Sequence, residues 1–270
     1  MIWTVSCGFD SNLIYCIIRY DIWFYVLHNS IRKGVTGLTY THLLFDADDT
    51  LFDFKEAELQ AFTKVFSDFG YPCDAATYQI YHEENKRCWK ELESGLCTRP
   101  QLLFKRFDRT FQKIGITGDP LAVQKKYEAA LAENGILYSN TIPLLERLSA
   151  SFSLALITNG ATIIQKRRLE KSGVSPYFDG IFISEEMGVA KPAKDYFDRV
   201  LDALQVLDRR QVLVIGDSLS SDVMGAINSD LDICWFNPGK TPLPENLSVT
   251  YEIRQLEELY DILQEKDLSK

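Results

Sequence analysis

Two carboxylates stand two residues apart where a short apolar run ends. Residues 43–45 are Leu-Leu-Phe, and Asp46, Asp48 and Thr50 follow them. An apolar run that stops at a polar turn is typical of a buried parallel strand, which brings its last side chains to the carboxyl edge of the sheet, where open α/β folds bind ligands. There, Asp46 would point at a substrate and Asp48 could reach the same atom from the other side, an arrangement that can do phosphoryl chemistry. The alternative is an Asx-rich turn that only closes the strand.

Polar residues also follow a second apolar run and precede a proline further along the chain. Thr158, Asn159 and Gly160 offer a hydroxyl, an amide and a permissive backbone to an anion, although such a turn often just caps the next helix. Lys191 stands directly before Pro192, which keeps the local chain extended, so that the ammonium can aim into a site. A solvated surface charge is the alternative for this lysine.

A third polar cluster combines Asp217 and Asp222, which are five residues apart, with Gly216 directly before the first carboxylate. The glycine permits close approach, and the second carboxylate lies at the start of a predicted helix. Hard oxygen ligands of this kind suit Mg²⁺, which proteins usually hold through one or two carboxylates together with substrate phosphate and water. The alternative is that Asp222 only stabilises the N-terminus of the helix.

Short apolar runs that alternate with helical patterns predict the sheet that must position these groups. The runs are 43–45, 153–157, 180–183, 212–215 and 231–236. This alternation predicts an α/β fold with a doubly wound parallel sheet. Because the carboxyl ends of parallel strands share one edge, the four polar segments are expected around a single crevice.

Helical periodicity runs through residues 54–139, between the first strand and the others. Four helices are predicted there, and the third begins at Thr98 and Gln101, which have the spacing of a capping box. This third helix carries four apolar residues on one predicted face: Phe104, Phe107, Phe111 and Ile114. Aromatic stripes at this spacing indicate core packing. The chain is therefore expected to contain an inserted four-helix-bundle cap, residues 54–139, and one discontinuous core, residues 39–53 and 140–270.

The bulk composition limits the class of partner. The chain has 270 residues, of which 46% are hydrophobic and 25% charged, as is ordinary for a globular protein of one or two domains. Its net charge of −9 argues against a nucleic-acid polymer or an anionic membrane surface as partner, since both would favour a basic face. Six cysteines without a C-x-x-C pair suggest neither disulfides nor a zinc site, so a reducing cytoplasm is expected. The sequence does not predict the oligomeric state.

Residues 1–38 need a separate interpretation. They are rich in Ile, Tyr, Trp and Phe but lack a basic start and a cleavage site, and Arg19 and Asp21 interrupt the apolar patches before the length of a membrane span is reached. Three interpretations are open: an amphipathic element packed on the domain, a weak membrane-surface anchor, and upstream sequence included by a misassigned start codon. The third is favoured, so this extension is expected to be no part of the fold.

The complete set of motifs resembles that of the haloacid dehalogenase-like hydrolase superfamily. The set comprises D-x-D-x-T from Asp46, a Thr after the second strand, Lys-Pro at Lys191, and G-D-S-x-x-S-D from Gly216. The separation of 112 residues between Asp46 and Thr158 matches members with a helical cap inserted after the first strand. Within the superfamily, the sequence is most similar to the cytoplasmic pyrimidine 5′-nucleotidase branch. The segments that carry this likeness are LLFDADDTLFDF, WKELESG, Arg106-Phe107, and GDS running on to CWFNP.

The resemblance implies a two-step phosphoryl transfer through a covalent aspartyl-phosphate. Asp46 would attack phosphorus, and Asp48, held by Thr50, would protonate the leaving alcohol and then activate water. Mg²⁺ would be held by Asp46, the backbone carbonyl of Asp48, Asp217, and Asp222 either directly or through one water. The groups that would balance charge on the phosphoryl group or donate to it are Lys191, Thr158 and Asn159.

The resemblance also places substrate specificity in the cap, which would close over the crevice and exclude water. The turn Glu93-Ser94-Gly95 is where relatives have a substrate-reading loop. The further candidates for substrate contacts are Asp49, Thr50, Phe52, Asn85, Arg99, Asn159 and Gly160. Ordinary structural roles are the alternative for the cap positions.

The function expected from this resemblance is Mg²⁺-dependent hydrolysis of a small-molecule phosphate ester, namely a pyrimidine nucleoside 5′-monophosphate. Another small phosphomonoester, such as phosphoglycolate or a sugar phosphate, is the nearest alternative, and a sugar phosphomutase would use the same aspartates. A haloacid dehalogenase is disfavoured because hydrolysis of a carbon–halogen bond needs no acid at Asp48. The intact set of polar residues disfavours a noncatalytic binding protein.

Overall fold

A parallel sheet forms the core of the part of the chain that the computed structural model describes, residues 40–265. Its strands are β1 His42–Asp46, β2 Ser153–Thr158, β3 Gly180–Ile183, β4 Val212–Gly216, β5 Asp232–Phe236 and β6 Tyr251–Ile253. They lie in the order β3-β2-β1-β4-β5-β6, and each pairs in parallel with its neighbours. The predicted α/β fold with a parallel sheet is therefore confirmed.

Helices connect these strands. The α-helices are α1 Phe54–Asp68, α2 Ala75–Glu93, α3 Arg99–Ile114, α4 Pro120–Ala132, α5 Thr141–Ser149, α6 Thr162–Ser172, α7 Ser184–Met187, α8 Lys194–Ala203, α9 Met224–Asn228 and α10 Leu259–Glu265. Single turns of 3₁₀-helix occur at Ser175–Tyr177, Arg209–Gln211 and Leu256–Glu258, and a π-helical turn at Leu219–Val223 leads into α9. Five of the helices, α1 to α5, lie between β1 and β2. Four of them, α1 to α4, fall within residues 54–139, as the periodicity predicts.

The first strand, β1, lies at the centre of the sheet between β2 and β4. Leu44 is fully buried, as expected for a strand that is covered on both faces. Asp46 is in register with Ile157 of β2, and Phe45 is in register with Ile215 of β4. The carboxyl ends of these three strands therefore meet at one edge, and the polar residues that follow them are brought together.

The edge strand β6 was not predicted. It has three residues, Tyr251–Ile253, and only the last of them is buried. Such a strand is shorter than the usual five or six residues and carries no apolar run, so its pairing with Cys234 and the residues that follow leaves no signal in the sequence.

Aromatic rings fill the interior of the four helices α1 to α4. Phe62 stacks on Tyr81 at a centroid distance of 5.0 Å, Tyr81 stacks on Phe107 at 5.1 Å, and Phe107 meets Tyr127 edge-on at 5.4 Å. All four rings are fully buried. Aromatic pairs at these distances stabilise a core beyond the area that they bury, so the aromatic stripes serve packing, as expected.

The predicted face of α3 is partly wrong. Phe107 and Phe111 are buried, but Phe104 is 39% exposed. The buried side of the helix instead includes Arg106 and Thr110, four residues apart on the same face. Hydrophobic periodicity predicts that Phe104 is buried, but the buried side of the helix includes Arg106, which polar partners hold. Hydrophobicity alone could not predict a buried arginine.

An isolated antiparallel bridge between Phe52 and Leu137 joins the two segments that connect the helices α1 to α4 to the sheet. Asp53 donates its backbone N–H to the carbonyl of Ile136 at 3.0 Å, and Tyr138 donates to the carbonyl of Leu51 at 3.0 Å. These hydrogen bonds lie near the predicted boundaries at residues 53 and 139.

The prediction for residues 1–38 falls outside the described residues. Among the described residues, no helix combines the length and the apolar character needed to cross a bilayer.

Candidate active site

The carboxyl ends of β1, β2 and β4 open into one cavity between the sheet and the helices α2 to α4. From the sheet side the cavity is lined by Asp46, Asp48, Thr158, Asn159, Gly160, Gln165, Arg168, Lys191, Asp217, Ser218 and Asp222. From the side of the helical insertion it is lined by Phe54, Trp89, Glu93, Arg99, Leu103, Arg106, Glu128 and Leu131. The four polar segments that the sequence suggests for one crevice therefore do lie around one crevice.

A buried lysine joins two of the carboxylates in this cavity. Lys191 donates from Nζ to Asp46 Oδ1 at 2.6 Å, to Asp222 Oδ1 at 2.6 Å and to the carbonyl of Ile157 at 3.1 Å. Its side chain is 1% exposed, so the alternative of a solvated surface charge is excluded. The ammonium uses all three of its donors in this way.

Three carboxylates lie close enough together to share one cation. Asp46, Asp217 and Asp222 each present an oxygen, and these oxygens lie within 4.8 Å of one another. Hard carboxylate oxygens in such a group are the donors that Mg²⁺ prefers, with backbone carbonyls, substrate and water completing its coordination. The donor set therefore fits the cation that the sequence predicts.

The local backbone explains how Asp222 reaches this cluster. Its carboxylate accepts the backbone N–H of Ser218 at 3.0 Å, and a Cβ atom on Gly216 would lie only 2.4 Å from Asp222 Cγ. Glycine is thus needed here for close approach, as predicted. Ser218, not Asp222, caps the helical turn by accepting the N–H of Ser221. Asp222 is fully buried and paired with Lys191, so its role is not that of a simple helix cap.

Burial and mutual repulsion dominate the electrostatics of the cluster. Burial raises the pKa of Asp46 to about 8, with opposition from Lys191 and further increases from Asp222 and Asp48. Burial, with repulsion from Asp46 and Asp222, also raises the pKa of Asp217 well above its ordinary value. Burial disfavours the charged form of Lys191, but Asp222 and Asp46 outweigh it and raise the lysine pKa. Carboxylates confined in this way favour the binding of a cation.

The segment after β2 supports both the cavity wall and the lysine. Asn159 donates from Nδ2 to the carbonyl of Lys191 at 2.8 Å and accepts the N–H of Lys191 at 3.0 Å, so its amide holds the lysine backbone. Thr158 Oγ1 accepts the N–H of Gly160 at 3.0 Å and Gln165 Nε2 at 3.1 Å. The residue that caps α6 is Ala161, so Thr158 does not serve as its cap.

The carboxylate of Asp48 is held by two residues of α6 that the sequence reasoning missed. Gln165 donates from Nε2 to Asp48 Oδ2 at 2.6 Å, and the guanidinium of Arg168 donates to Asp48 Oδ1. The predicted bond from Thr50 is absent, since the Thr50 hydroxyl is buried without a hydrogen-bond partner among the described residues. The signal that could have identified both partners is their spacing, one helical turn apart, on the helix that follows Thr158.

Some of the predicted substrate contacts lie away from the cavity. Asp49 accepts the backbone N–H of Lys55 at 3.3 Å, and burial raises its pKa to about 6. Ser94 and Gly95 are exposed at the turn after α2, and only Glu93 of that turn lines the cavity.

Two further candidates for substrate contacts, Asn85 and Phe52, contact other side chains of the protein, and a third, Arg99, faces the cavity. Asn85 donates to Glu58 at 2.7 Å and accepts from Arg106 at 3.1 Å within the helical insertion. Phe52 packs its ring 4.5 Å from the guanidinium of Arg168. Arg99, by contrast, lines the cavity and donates to the backbone carbonyl of Asn159 at 3.3 Å.

Comparisons with known proteins identify relatives of this chain. Residues 40–230 match the family model described as haloacid dehalogenase-like hydrolase. The chain is 38% identical to the HAD-hydrolase YfnB of Bacillus subtilis over 83% of its own length and 95% of that protein. It is 34% identical to the pyrimidine 5′-nucleotidase YjjG of Escherichia coli, over 82% and 96% of the two chains. It is also 34% identical to the pyrimidine 5′-nucleotidase PynA of Streptococcus pneumoniae, over 86% and 98%.

The fold has a solved counterpart as well. A crystal structure of YfnB bound to magnesium superposes with a TM-score of 0.80 and covers 83% of this chain and 98% of that one. The relatives are matched over nearly their whole length, and the acidic cluster, the lysine and the inserted helices agree with the motifs from which the resemblance was inferred. The chain belongs to the haloacid dehalogenase-like hydrolase family and is an enzyme of the phosphoric monoester hydrolase kind.

Proposed function

We propose that this protein is a Mg²⁺-dependent phosphatase that works through an aspartyl-phosphate on Asp46 and acts on pyrimidine nucleoside 5′-monophosphates. The observation that carries the proposal is the cluster of buried Asp46, Lys191 and Asp222 with half-buried Asp217 at one sheet edge. Asp48 faces the same cavity. In this proposal residues 39–53 and 140–270 form the catalytic core, and residues 54–139 form the cap.

The first step forms a bond from a carboxylate oxygen of Asp46 to phosphorus and breaks the bond from phosphorus to the alcohol oxygen. Asp48 gives its proton to the departing alcohol. In the second step, Asp48 takes a proton from water as the water oxygen bonds to phosphorus, and the Asp46–phosphorus bond breaks. Phosphate is released, and both carboxyl groups return to their starting state.

The charges around Asp46 suit this chemistry. Lys191 offsets the charge of Asp46 and of the transferring oxygens, and the Thr158 hydroxyl faces the same cavity as a donor. Asp46, Asp217 and Asp222 would hold Mg²⁺, together with the backbone carbonyl of Asp48. Bound Mg²⁺ supplies positive charge that offsets the repulsion between these carboxylates and a dianionic phosphate.

The cap end of the cavity supports a nucleoside as leaving group. Trp89 and Leu103 give it apolar walls, and Glu93, Arg106 and Glu128 place polar groups between them. Apolar walls with a few polar groups are typical of sites that bind a planar, partly polar molecule. The names of YjjG and PynA, both pyrimidine 5′-nucleotidases, agree with this choice.

A second candidate is a phosphatase for another small phosphomonoester, such as phosphoglycolate or a sugar phosphate. The observation in its favour is that Arg99 lines the cavity and could pair with a second anionic group of the substrate. A cytoplasmic location is proposed for either activity, because the described cysteines, at positions 73, 88, 97 and 234, are all free thiols.

A panel of phosphate esters distinguishes these substrates. Release of inorganic phosphate is measured with Mg²⁺ for nucleoside 5′-monophosphates, sugar phosphates and phosphoglycolate. Pyrimidine nucleoside monophosphates are expected to give the highest kcat/KM. Hydrolysis of phosphoglycolate or sugar phosphates without hydrolysis of any nucleotide would favour the second candidate, and an isomerised sugar phosphate without free phosphate would identify a mutase.

Mg²⁺ binding is expected to stabilise the fold, and this can be measured without substrate. A ligand at about 100 times its Kd stabilises the native state by about 2.7 kcal/mol, which corresponds to an increase in Tm of roughly 5–10 °C. In Asp217→Asn most of this increase should be lost, because one of the three carboxylates is neutralised. Thermal unfolding with and without Mg²⁺ measures the effect.

The control for this measurement is Asp230→Asn. Asp230 is exposed and has a φ of 52°, a conformation that asparagine also tolerates. This variant should keep the full increase in Tm. An equal increase in Asp217→Asn would contradict the assignment of the cation to this cluster.

A further inference from the structure

Both carboxylate oxygens of Asp48 accept hydrogen bonds from α6, a helix to which the mechanism above gives no role. We propose that Gln165 and Arg168 are positioning residues, which hold Asp48 in the orientation that it needs for proton transfer. This inference rests on the proposed function, because it assumes that Asp48 is the acid and base of a phosphatase. It adds two residues that contact neither the phosphoryl group nor the cation in that mechanism.

Gln165 binds the acid and base carboxylate and a wall of the phosphate site at the same time. Its Nε2 donates to Asp48 Oδ2 at 2.6 Å and to Thr158 Oγ1 at 3.1 Å. Both amide hydrogens are used by these bonds, and the side chain is almost fully buried. The position of Asp48 is thereby fixed relative to Thr158, which lines the same cavity.

The lack of a side chain at Gly160 leaves the space that Gln165 occupies. A Cβ atom on Gly160 would lie 2.2 Å from Gln165 Nε2 and 2.6 Å from its Cγ. Any larger residue at position 160 would displace the amide that holds Asp48. The sequence suggests that Gly160 leaves room for an anion, and in the structure it leaves room for this glutamine.

Arg168 is fixed from several sides and therefore offers Asp48 a fixed partner. Its Nε donates to the carbonyl of Asn134 at 3.1 Å. The guanidinium lies 4.5 Å from the ring centre of Phe52 and 5.5 Å from that of Phe54. The side chain of Arg168 is fully buried, whereas that of Asp48 is 28% exposed to the cavity, so the guanidinium holds one oxygen of Asp48 from the buried side.

Orientation matters because one carboxyl group must serve two oxygens in turn, that of the leaving alcohol and that of the attacking water. A carboxylate that is free to rotate would spend little time aligned with either oxygen, and alignment contributes a large part of catalysis by positioned groups. Residues that orient metal ligands through hydrogen bonds typically change metal affinity or activity about 10- to 100-fold when they are replaced, and we expect an effect of this size for the partners of Asp48.

The test uses an aryl phosphate with a strongly acidic phenol, because its leaving group departs as the phenolate without a proton. Transfer of the phosphoryl group to Asp46 then needs no acid, whereas release from Asp46 still needs Asp48 to deprotonate water. In Gln165→Met, which keeps the side-chain length, we expect a burst of phenol equal to the enzyme concentration. The steady rate that follows should be about 10- to 100-fold slower than that of wild type.

Two further variants define the role. Arg168→Lys keeps the positive charge and should lose less of the steady rate than Arg168→Gln. Arg167→Gln is the matched control on the same helix, since Arg167 is 46% exposed and pairs at the surface with Glu133 and Glu170. It should retain the steady rate of wild type.

A structural role would give a different result. If Gln165→Met and both Arg168 variants lowered the burst and the steady rate in equal proportion, together with Tm, the two residues would only support the fold and the inference would be overturned. It would also be overturned if the variants kept the wild-type steady rate. A wild-type enzyme that releases no phenol with Mg²⁺ would instead contradict the proposed function, so the two failures can be told apart.

Discussion

Asp46→Asn is expected to lower kcat by on the order of 10⁵- to 10⁶-fold, the size of loss found when a covalent nucleophile is removed. The amide oxygen is a poor nucleophile and forms no stable phosphoryl intermediate. Asparagine has nearly the size of aspartate, so the packing around the sheet edge should persist. Phosphate release is measured under saturating nucleotide and Mg²⁺, with enzyme in large excess if turnover is too slow to follow.

The fold of this variant should be intact for a specific reason. Lys191 keeps its bonds to Asp222 and to the carbonyl of Ile157 when Asp46 is neutral. Circular dichroism and Tm are measured beside the kinetics, and Asp230→Asn provides an exposed carboxylate control with wild-type kcat expected. Retention of more than about a hundredth of the wild-type kcat, far above the residual rate expected without a nucleophile, would exclude Asp46 from that role.

Lys191→Met is expected to damage both stability and activity. The variant leaves Asp46 and Asp222 buried and adjacent without their shared ammonium. Breaking a buried ion pair by removing one partner typically costs about 3–5 kcal/mol of the free energy of unfolding. A loss of kcat on the order of 10³-fold is expected in the fraction that folds, because a preorganised positive charge at the phosphoryl group is missing.

The control for this variant lies three residues further along the chain. Lys194 is 49% exposed and pairs with Asp198 at 2.9 Å on the surface of α8. Lys194→Met should change the free energy of unfolding by no more than about 0.5 kcal/mol. Chemical denaturation of both variants gives the comparison. Equal stability of Lys191→Met and wild type would contradict the view that the lysine compensates the buried carboxylates.

The sheet and the acidic cluster were predictable because their signals are local. A continuous apolar run such as that around Leu44 indicates a strand that is buried on both faces, and parallel strands necessarily bring their carboxyl ends to one edge. Asp46 and Thr158 each follow such a run directly, and Asp217 follows one after a single glycine. Their convergence therefore follows from the fold class, and the proximity of the carboxylates in the structure agrees with it.

The partners of Asp48 were not predictable in the same way. Gln165 and Arg168 lie on a helix whose orientation depends on packing, and neither is apolar or part of the motifs that carry the resemblance. The sequence predicts that Thr50, two residues from Asp48, holds this carboxylate. However, the backbone at Asp49 has a φ of 60°, and the Thr50 hydroxyl makes no hydrogen bond in the described part of the chain. The residues that hold Asp48 instead lie 117 and 120 positions away along the sequence, so only the tertiary structure brings them together.

The residues of the helical insertion that line the cavity were the least predictable part of the site. Hydrophobic periodicity identified the helices α1 to α4. It could not show that Arg106 is buried in α3 while Phe104 is exposed. Arg106 is held there because its N–H groups donate to the amide oxygens of Gln124 at 2.7 Å and Asn85 at 3.1 Å, which satisfies its hydrogen bonds within the interior. Which residues of a helical insertion face the cavity depends on such packing and not on the position of a turn.

The most direct test of the account is chemical capture of the intermediate on Asp46. The enzyme is mixed with nucleotide and Mg²⁺, quenched in acid during turnover and reduced with borohydride, which converts an acyl phosphate of aspartate into homoserine. Mass spectrometry of the peptides should then find homoserine at position 46 and at no other aspartate. An enzyme that hydrolyses the nucleotide while position 46 remains aspartate in every quenched sample would contradict the proposed covalent mechanism.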